Sequence, residues 1–408
     1  MDKLVIPGRL SGSVEIPASK SVAHRLVIAA SLAEGESVIT NVYPSKDILA
    51  TIGGMRALGA EIDLDGDTAR IRGITAPPKE AVIDCCESGS TLRFLIPIAA
   101  ALGVKTTFLG QGKLPQRPIT PFLEELPRHG AELDYSGTMP FTVSGRLEAG
   151  EYRMGGDISS QFITGLLLAM PLLKGESRIT LTTHLESRPY VEITAGCLEQ
   201  FGCPVVTDGR GFSVSGGGKL SPCSCAVEGD WSQAAFFEVA NSLGSSVTIN
   251  GLNVNSYQGD KKILEICREI VYNKNSALRP FELDCSDIPD LVPILAVLGC
   301  FCKGISRITN AARLRIKESD RLAAVTDCLN RIGGKVTACD DMLEIKGVGA
   351  LAGGEVESFN DHRIAMAMAI ASTRCSSPLL IRNAECVSKS YPGFWEDFER
   401  LGGNCREV

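Results

Sequence analysis

Four segments of the chain alternate apolar and polar residues and close on a glycine, at 69–73, 141–145, 212–216 and 343–347. A period of two marks a strand with one buried face. Each segment is preceded by a glycine turn and another short strand. These turns read Leu58-Gly59-Ala60-Glu61-Ile62, His129-Gly130-Ala131-Glu132-Leu133, Phe201-Gly202-Cys203-Pro204-Val205 and Ile332-Gly333-Gly334-Lys335-Val336. The turn glycines are 71, 72 and 131 residues apart, so the last gap spans nearly two periods. A fifth copy is therefore expected near 265–285, where Cys267-Arg268-Glu269-Ile270-Val271-Tyr272-Asn273-Lys274 reads as a shortened version. At the C-terminus a helix at 394–401 runs into Gly402-Gly403-Asn404-Cys405, and the chain is expected to stop before supplying the strands. The N-terminal strand at 4–6 is expected to supply one, which brings both ends into one domain.

The segments before the glycine turns are helical in pattern, at 47–57, 119–128, 190–200 and 319–331. A second set lies earlier in each unit, at 21–33, 90–102, 161–173, 232–241, 290–302 and 363–372. The second set is rich in Ala and Leu on every face, so these helices should be buried. Repeats at long, fixed spacing are repeated supersecondary units. Each unit here is too large for a solenoid repeat. An α/β protein of two globular domains, each of about three units, fits better. A chain of 408 residues also exceeds one ordinary core. The expected domains are 1–14 with 228–408, and 15–227, with the chain exchanging near 13–19 and 226–230.

Composition narrows the function. The net charge of −7 argues against general nucleic-acid binding. No secretory apolar region follows Met1, and the longest apolar stretches, 163–173 and 294–302, fall short of a membrane span. Fifteen cysteines without a C-x2-C pair, and only four histidines, argue against structural zinc. They read as reduced, mostly buried cytoplasmic thiols.

On an acidic chain, clustered cations carry more information. Lys317-Glu318-Ser319-Asp320-Arg321 is expected to start a helix with Lys317 and Arg321 on one face. Like charges at that spacing repel, and cations in a first turn oppose the helix dipole. An anion at the helix end removes both penalties. Lys20-Ser21 and His362-Arg363 open two more helices in the same way. Polar or capping residues precede the other buried helices: Ser88-Gly89-Ser90-Thr91 with Arg93 in the first turn, Ser159-Ser160-Gln161, and Asp287-Ile288-Pro289-Asp290. Parallel helices would bring these ends to one cleft between the domains. Arg117, before Pro118, and Lys389, in a polar stretch at 387–392, add loop cations. Asp290, amid cations, is a candidate proton acceptor, and Glu318 a candidate proton carrier. No P-loop, G-x-S-x-G or dinucleotide fingerprint is present.

In order along the chain, the segments 19–25, 89–93, 116–119, 159–162, 288–290, 317–321 and 360–363 resemble those of the 3-phosphoshikimate 1-carboxyvinyltransferases, also called 5-enolpyruvylshikimate-3-phosphate synthases. The resemblance spans essentially the whole chain. It implies a two-domain inside-out α/β barrel of repeated βαβαββ units. It also implies transfer of the enolpyruvyl group of phosphoenolpyruvate to the 5-hydroxyl of shikimate 3-phosphate, by a cytoplasmic monomer without cofactor or metal. By matching motif, Lys20, Ser21, Arg25, Ser159, Ser160, Gln161, Ser187, Asp290 and Lys317 would hold shikimate 3-phosphate. Lys20, Gly89, Arg117, Gln161, Arg321, Arg363 and Lys389 would hold phosphoenolpyruvate. Asp290 would be the base on the 5-hydroxyl. Glu318, helped by Lys389, would protonate the methylene carbon, with Lys20 also in the catalytic set.

Three departures from the family pattern stand out. Arg313 replaces a common Asn at the shikimate ligand, and Phe94 replaces Pro in some members, which bears on the inhibitor glyphosate. The region 258–285 is also shorter than the usual repeat. The related UDP-N-acetylglucosamine 1-carboxyvinyltransferases carry a catalytic Cys in the loop before the Arg-Pro pair. Here that loop, 110–116, has none. A non-catalytic phosphate-ligand binding protein is the other alternative, and the presence of both Asp290 and Glu318 speaks against it.

Overall fold

The structure, a computed structural model, describes residues 1–270 and 278–408. It divides into two compact units, Met1–Pro17 with Gly229–Val408, and Ala18–Glu228. The repeated unit is clearest at 80–145, where strand Glu80–Asp84, helix Gly89–Leu102, strand Lys105–Leu109, helix Thr120–Glu125 and strands Ala131–Asp134 and Phe141–Gly145 follow in order. This is a βαβαββ unit. Its first two strands pair in parallel, Glu80 opposite Lys105 and Asp84 opposite Leu109. The hairpin then adds antiparallel to Lys105–Leu109, with Phe108 opposite Phe141. Parallel neighbours need a crossover, and the buried helix provides it.

Five sheets among the described residues have this four-stranded order. The two places where the chain changes unit supply first strands to distant repeats. Ser11–Glu15 pairs in parallel with Ser246–Asn250, and Ser224–Ala226 with Glu36–Thr40. The periodic glycines follow from backbone geometry. Gly130 sits at φ +87, and Gly59, Gly202 and Gly333 are also at positive φ, where a side chain would be strained.

Several elements differ from expectation. The chain does not stop short of its last strand, because Asn404–Glu407 is a strand. It pairs antiparallel with Lys3–Ile6, whose other edge pairs with Leu379–Arg382. The two ends of the chain thus stand in for a hairpin. Among the described residues the sheet of Ser246–Asn250 has two strands, and helix Ile263–Ile270 follows it. The part of the expected shortened copy at 271–277 lies outside the described residues. Prolines shorten three expected helices: 119–128 becomes helix Thr120–Glu125 plus the 3-10 turn Leu126–His129, 161–173 becomes Ser160–Ala169 plus Met170–Leu172, and 290–302 becomes Pro289–Leu291 plus Val292–Cys300.

The expected helix start at Lys317 is not formed. The helix is Arg321–Arg331, capped by Asp320, whose carboxylate accepts the Ala323 N–H at 3.0 Å. Lys317 follows the 3-10 turn Ala312–Ile316 in an extended conformation. It therefore does not share a helix face with Arg321. The all-round apolar helices are buried as expected; every residue of Val292–Cys300 and of His362–Ser372 is inside.

Candidate active site

In the unit Ala18–Glu228, helix Lys20–Leu32 starts at Ser19, whose hydroxyl accepts the Val22 N–H. Lys20 Nζ pairs with Asp47 Oδ2 at 2.9 Å. Arg25, one turn on, is buried under Phe94, with its guanidinium carbon 5.2 Å from the ring centre. Its Nε donates to Thr194 Oγ1 at 2.7 Å, Nη1 to the Ser21 carbonyl at 2.6 Å and Nη2 to the Tyr190 carbonyl at 2.8 Å. Burial pulls its pKa down to about 10, so it stays a cation at neutral pH.

Gly89 begins helix Gly89–Leu102, capped by Ser88. A Cβ at Gly89 would lie 2.5 Å from Nη1 of Arg117. The neighbour that a side chain here would strike is therefore a guanidinium. Arg117 Nε is buried without a hydrogen-bond partner. Gln161 follows Ser159 and Ser160 in the first turn of helix Ser160–Ala169. Its Oε1 accepts from Arg93 Nη1 at 2.6 Å and its Nε2 donates to Ser90 Oγ at 2.9 Å. Arg93 Nη2 also holds the Pro118 carbonyl at 3.0 Å. Arg93 thus ties together the segments carrying Gly89, Arg117 and Gln161. Ser187 stands just before helix Arg188–Gln200 at φ +55. That is an uncommon backbone for serine, of the kind that gathers at functional sites.

In the other unit the centre is Arg321, 2% exposed. Its Nη1 pairs with Asp290 Oδ1, its Nη2 with Glu318 Oε2 and its Nε with Asp361 Oδ2, each at 2.8 Å. Arg363 Nη2 takes the other oxygen of Asp290 at 2.8 Å and also donates to Ser232 Oγ at 3.0 Å. Asp361 caps helix His362–Ser372 through the Arg363 N–H and accepts the Ser319 hydroxyl at 3.0 Å. Burial alone would raise the Asp361 pKa, but Arg321 outweighs it and holds the carboxyl below its ordinary value. Phe359 and Asn360, just before it, are both at φ +56. Burial pulls the Lys317 ammonium down to about 8, against the pull of Asp290 and Glu318. Lys389 ends the 3-10 turn Ala384–Lys389, and its Nζ donates to the Asn360 carbonyl at 3.0 Å. Arg313 turns its Nη2 to the Ser286 carbonyl.

Asp290, Glu318, Arg321 and Arg363 are therefore brought together directly. Asp47, Arg93, Ser232 and Asp361 join the two sets without having been assigned a role from sequence. Arg93 and Asp361 stood inside the motifs, while Asp47 and Ser232 had no local signal. Guanidiniums hold both carboxylates ionised, so either can accept a proton, and Glu318 can give one only after it has taken one up.

A family model for EPSP synthase (3-phosphoshikimate 1-carboxyvinyltransferase) matches residues 4–398. The chain belongs to that family. A 3-phosphoshikimate 1-carboxyvinyltransferase of Clostridium kluyveri is 47% identical over 418 residues, covering 98% of this chain and 97% of its own length. One from Clostridium perfringens is 45% identical, covering 99% of each chain. Among solved structures, an EPSP synthase of Acinetobacter baumannii aligns with a TM-score of 0.84 at 28% identity over 99% of each chain. The enolpyruvyl transferase NikO of Streptomyces tendae shares the fold, at a TM-score of 0.80 and 17% identity, over 100% of this chain and 98% of its own. As a member of the EPSP synthase family the chain is a transferase with small-molecule substrates. Among the described residues no helix is long and apolar enough to cross a membrane.

Proposed function

We propose that the chain transfers the enolpyruvyl group of phosphoenolpyruvate to the 5-hydroxyl of shikimate 3-phosphate and releases phosphate. The observation that carries the reading is Asp290 clamped by Arg321 and Arg363, with Glu318 on the same Arg321. Asp290 takes the hydroxyl proton as the oxygen attacks C2 of phosphoenolpyruvate. Glu318, with Lys389, gives a proton to C3. The tetrahedral adduct then returns a proton from that methyl group to Glu318 and expels phosphate, which takes up the proton held by Asp290; the double bond is restored. Each proton has a side chain to carry it, so the sequence balances without an added oxidant, reductant or metal. Both substrates are multiply anionic, and the cations offset their repulsion and orient them.

Lys20, Ser21, Arg25, Ser159, Ser160, Gln161, Ser187, Asp290 and Lys317 bind shikimate 3-phosphate in this reading. Lys20, Gly89, Arg117, Gln161, Arg321, Arg363 and Lys389 bind phosphoenolpyruvate. The buried, unbonded Nε of Arg117 and the tie of Gln161 to Arg93, which also holds the Pro118 carbonyl beside Arg117, support the second set. The same reading makes the protein a cytoplasmic monomer, which its fifteen free cysteines support for the compartment. Light scattering tests the monomer. The function is tested by phosphate release from phosphoenolpyruvate, with shikimate 3-phosphate and separately with UDP-N-acetylglucosamine. Release with the first alone is expected; release only with the second refutes the assignment.

Two smaller predictions arise here. Gly89→Ala places a methyl group on the Arg117 guanidinium and must push it aside. Losing one aligned guanidinium contact should weaken phosphoenolpyruvate and glyphosate by about ten- to a hundredfold, the range for a charged hydrogen bond. Shikimate 3-phosphate should change by less than about twofold on the same scale. Equal weakening of all three ligands in a titration would refute the placement of Gly89. The second concerns pH. Lys317 is charged below about 8, and a phosphate monoester is already a dianion above about 6. Affinity for shikimate 3-phosphate should be flat near pH 7 and fall about tenfold per unit above the lysine's pKa. Lys317→Arg should remove that bend, because its guanidinium does not titrate there. A bend that survives Lys317→Arg assigns the titration to another group.

A further inference from the structure

Gln233 lies in the first turn of helix Trp231–Ser242 and is only 1% exposed. Its Nε2 donates to Ser390 Oγ at 3.1 Å, and its Oε1, also buried, has no hydrogen-bond partner. A long polar side chain is poorly suited to such a place, because burial removes rotamer freedom and hydration while only one end of the amide is paired. A leucine would lose less rotamer freedom and would have no amide to dehydrate. The hydrogen bond must therefore do something that packing alone would not.

What it holds is Ser390, the buried residue that ends the 3-10 turn Ala384–Lys389. The Ser390 N–H is bonded to the Val387 carbonyl at 3.1 Å, which closes the turn on Lys389. Lys389 precedes Ser390 directly, so a fixed Ser390 side chain fixes where the lysine stem leaves the backbone. The neighbouring residue of the same helix turn does the same for another cation. Ser232 Oγ accepts from Arg363 Nη2 at 3.0 Å and donates to Asp230, the cap of that helix. Consecutive residues of one helix turn thus bond one cation of the proposed phosphoenolpyruvate set, Arg363, and the residue next to another, Lys389.

We infer that Gln233 is a positioning residue for Lys389, acting through Ser390. The inference rests on the reading that Lys389 contacts phosphoenolpyruvate. The test is steady-state phosphate release by the full chain carrying Gln233→Leu, Ser390→Ala and both together. Each single variant should raise KM for phosphoenolpyruvate about tenfold, the scale of one lost positioning bond. Binding of shikimate 3-phosphate alone should stay within about twofold on that scale. Because both changes delete one bond, the double variant should be no worse than the worse single one. Gln233→Leu should also leave Tm unchanged or raised, since it removes an unpaired buried acceptor.

A fall in Tm with KM unmoved would make Gln233 purely structural and overturn the inference. So would effects that multiply in the double variant. Ser390→Ala removes a single buried oxygen and keeps the test usable if Gln233→Leu does not fold. Lys389→Ala in the same assay separates the two levels. If it leaves KM for phosphoenolpyruvate unchanged, the reading of Lys389 fails and the inference with it. If Lys389→Ala raises KM and Gln233→Leu does not, only the inference fails.

Discussion

Asp290→Ala should lower turnover by about three orders of magnitude, the middle of the range for removing a general base, and should leave shikimate 3-phosphate binding measurable. Asp290 pairs with both Arg321 and Arg363. Its removal takes away the proposed proton acceptor and, with it, negative charge lying against both guanidiniums. Arg321 keeps Glu318 and Asp361, and Arg363 keeps the Ser232 hydroxyl. Both arginines then meet an incoming anion with less competition, so KM for phosphoenolpyruvate should fall or hold rather than rise. A loss confined to kcat is the signature of a group needed in the transition state but not for binding. Asp290→Asn refines the test. The amide keeps the shape and one acceptor oxygen but cannot take the proton. It should lose turnover as fully as alanine while moving KM less. Turnover within about tenfold of wild type in both variants, far below a base's contribution, would remove Asp290 from the role of base.

The repeat, the strands and the buried helices were legible in the residues because each rests on a local rule. The turn glycines are forced by positive φ, the hairpin strands by alternation and the inner helices by apolar faces all round. The errors lie where a distant partner decides. At Lys317-Glu318-Ser319-Asp320-Arg321 two residues compete to cap the helix. Ser319 loses because its hydroxyl is drawn to Asp361, 42 residues on, and Asp320 takes the cap. Nothing within a helix turn of Lys317 shows that. The strand Asn404–Glu407 has little apolar alternation and is held by Lys3–Ile6 from the far end of the chain.

The active-site set divides in the same way. Glu318 lies within one helix turn of Arg321 and is visible from spacing. Asp290 and Asp361 are 31 and 40 residues from it, and that they share its guanidinium is a product of the fold. Gly89 stands in a recognisable motif, but the guanidinium of Arg117 that crowds its missing Cβ is placed there only by the tertiary structure.

The structural counterpart of Asp290 is Asp361, and Asp361→Ala should be the most destabilising single change in its unit's active-site set. The carboxylate is fully buried, caps helix His362–Ser372 and binds Arg321 and Ser319 at once. Loss of the cap alone is worth about 1 kcal/mol. Breaking a buried ion pair by deleting one partner typically costs about 3–5 kcal/mol, because the other charge is left behind. Arg321 retains Asp290 and Glu318, so the ion-pair loss belongs at or below the low end, and about 3 kcal/mol in all is expected. That corresponds to a fall in Tm of roughly 6–12 °C for a unit of this size.

Asp361→Asn keeps the cap and an oxygen for Arg321 and should lose less than about half as much, which separates the charge from the hydrogen bonds. The sign of the pH dependence follows from the lowered pKa of Asp361. A depressed carboxyl stabilises the fold above its unfolded pKa of about 3.9 and loses that contribution as pH falls through the lower folded value. The gap between wild type and Asp361→Ala should therefore be constant across neutral pH and narrow only in strong acid. A gap that closes near neutrality would assign the stabilisation to a different group. Activity should fall with stability in Asp361→Ala even below its Tm, because Arg321 loses the partner on Nε that holds the plane of its guanidinium against Asp290 and Glu318.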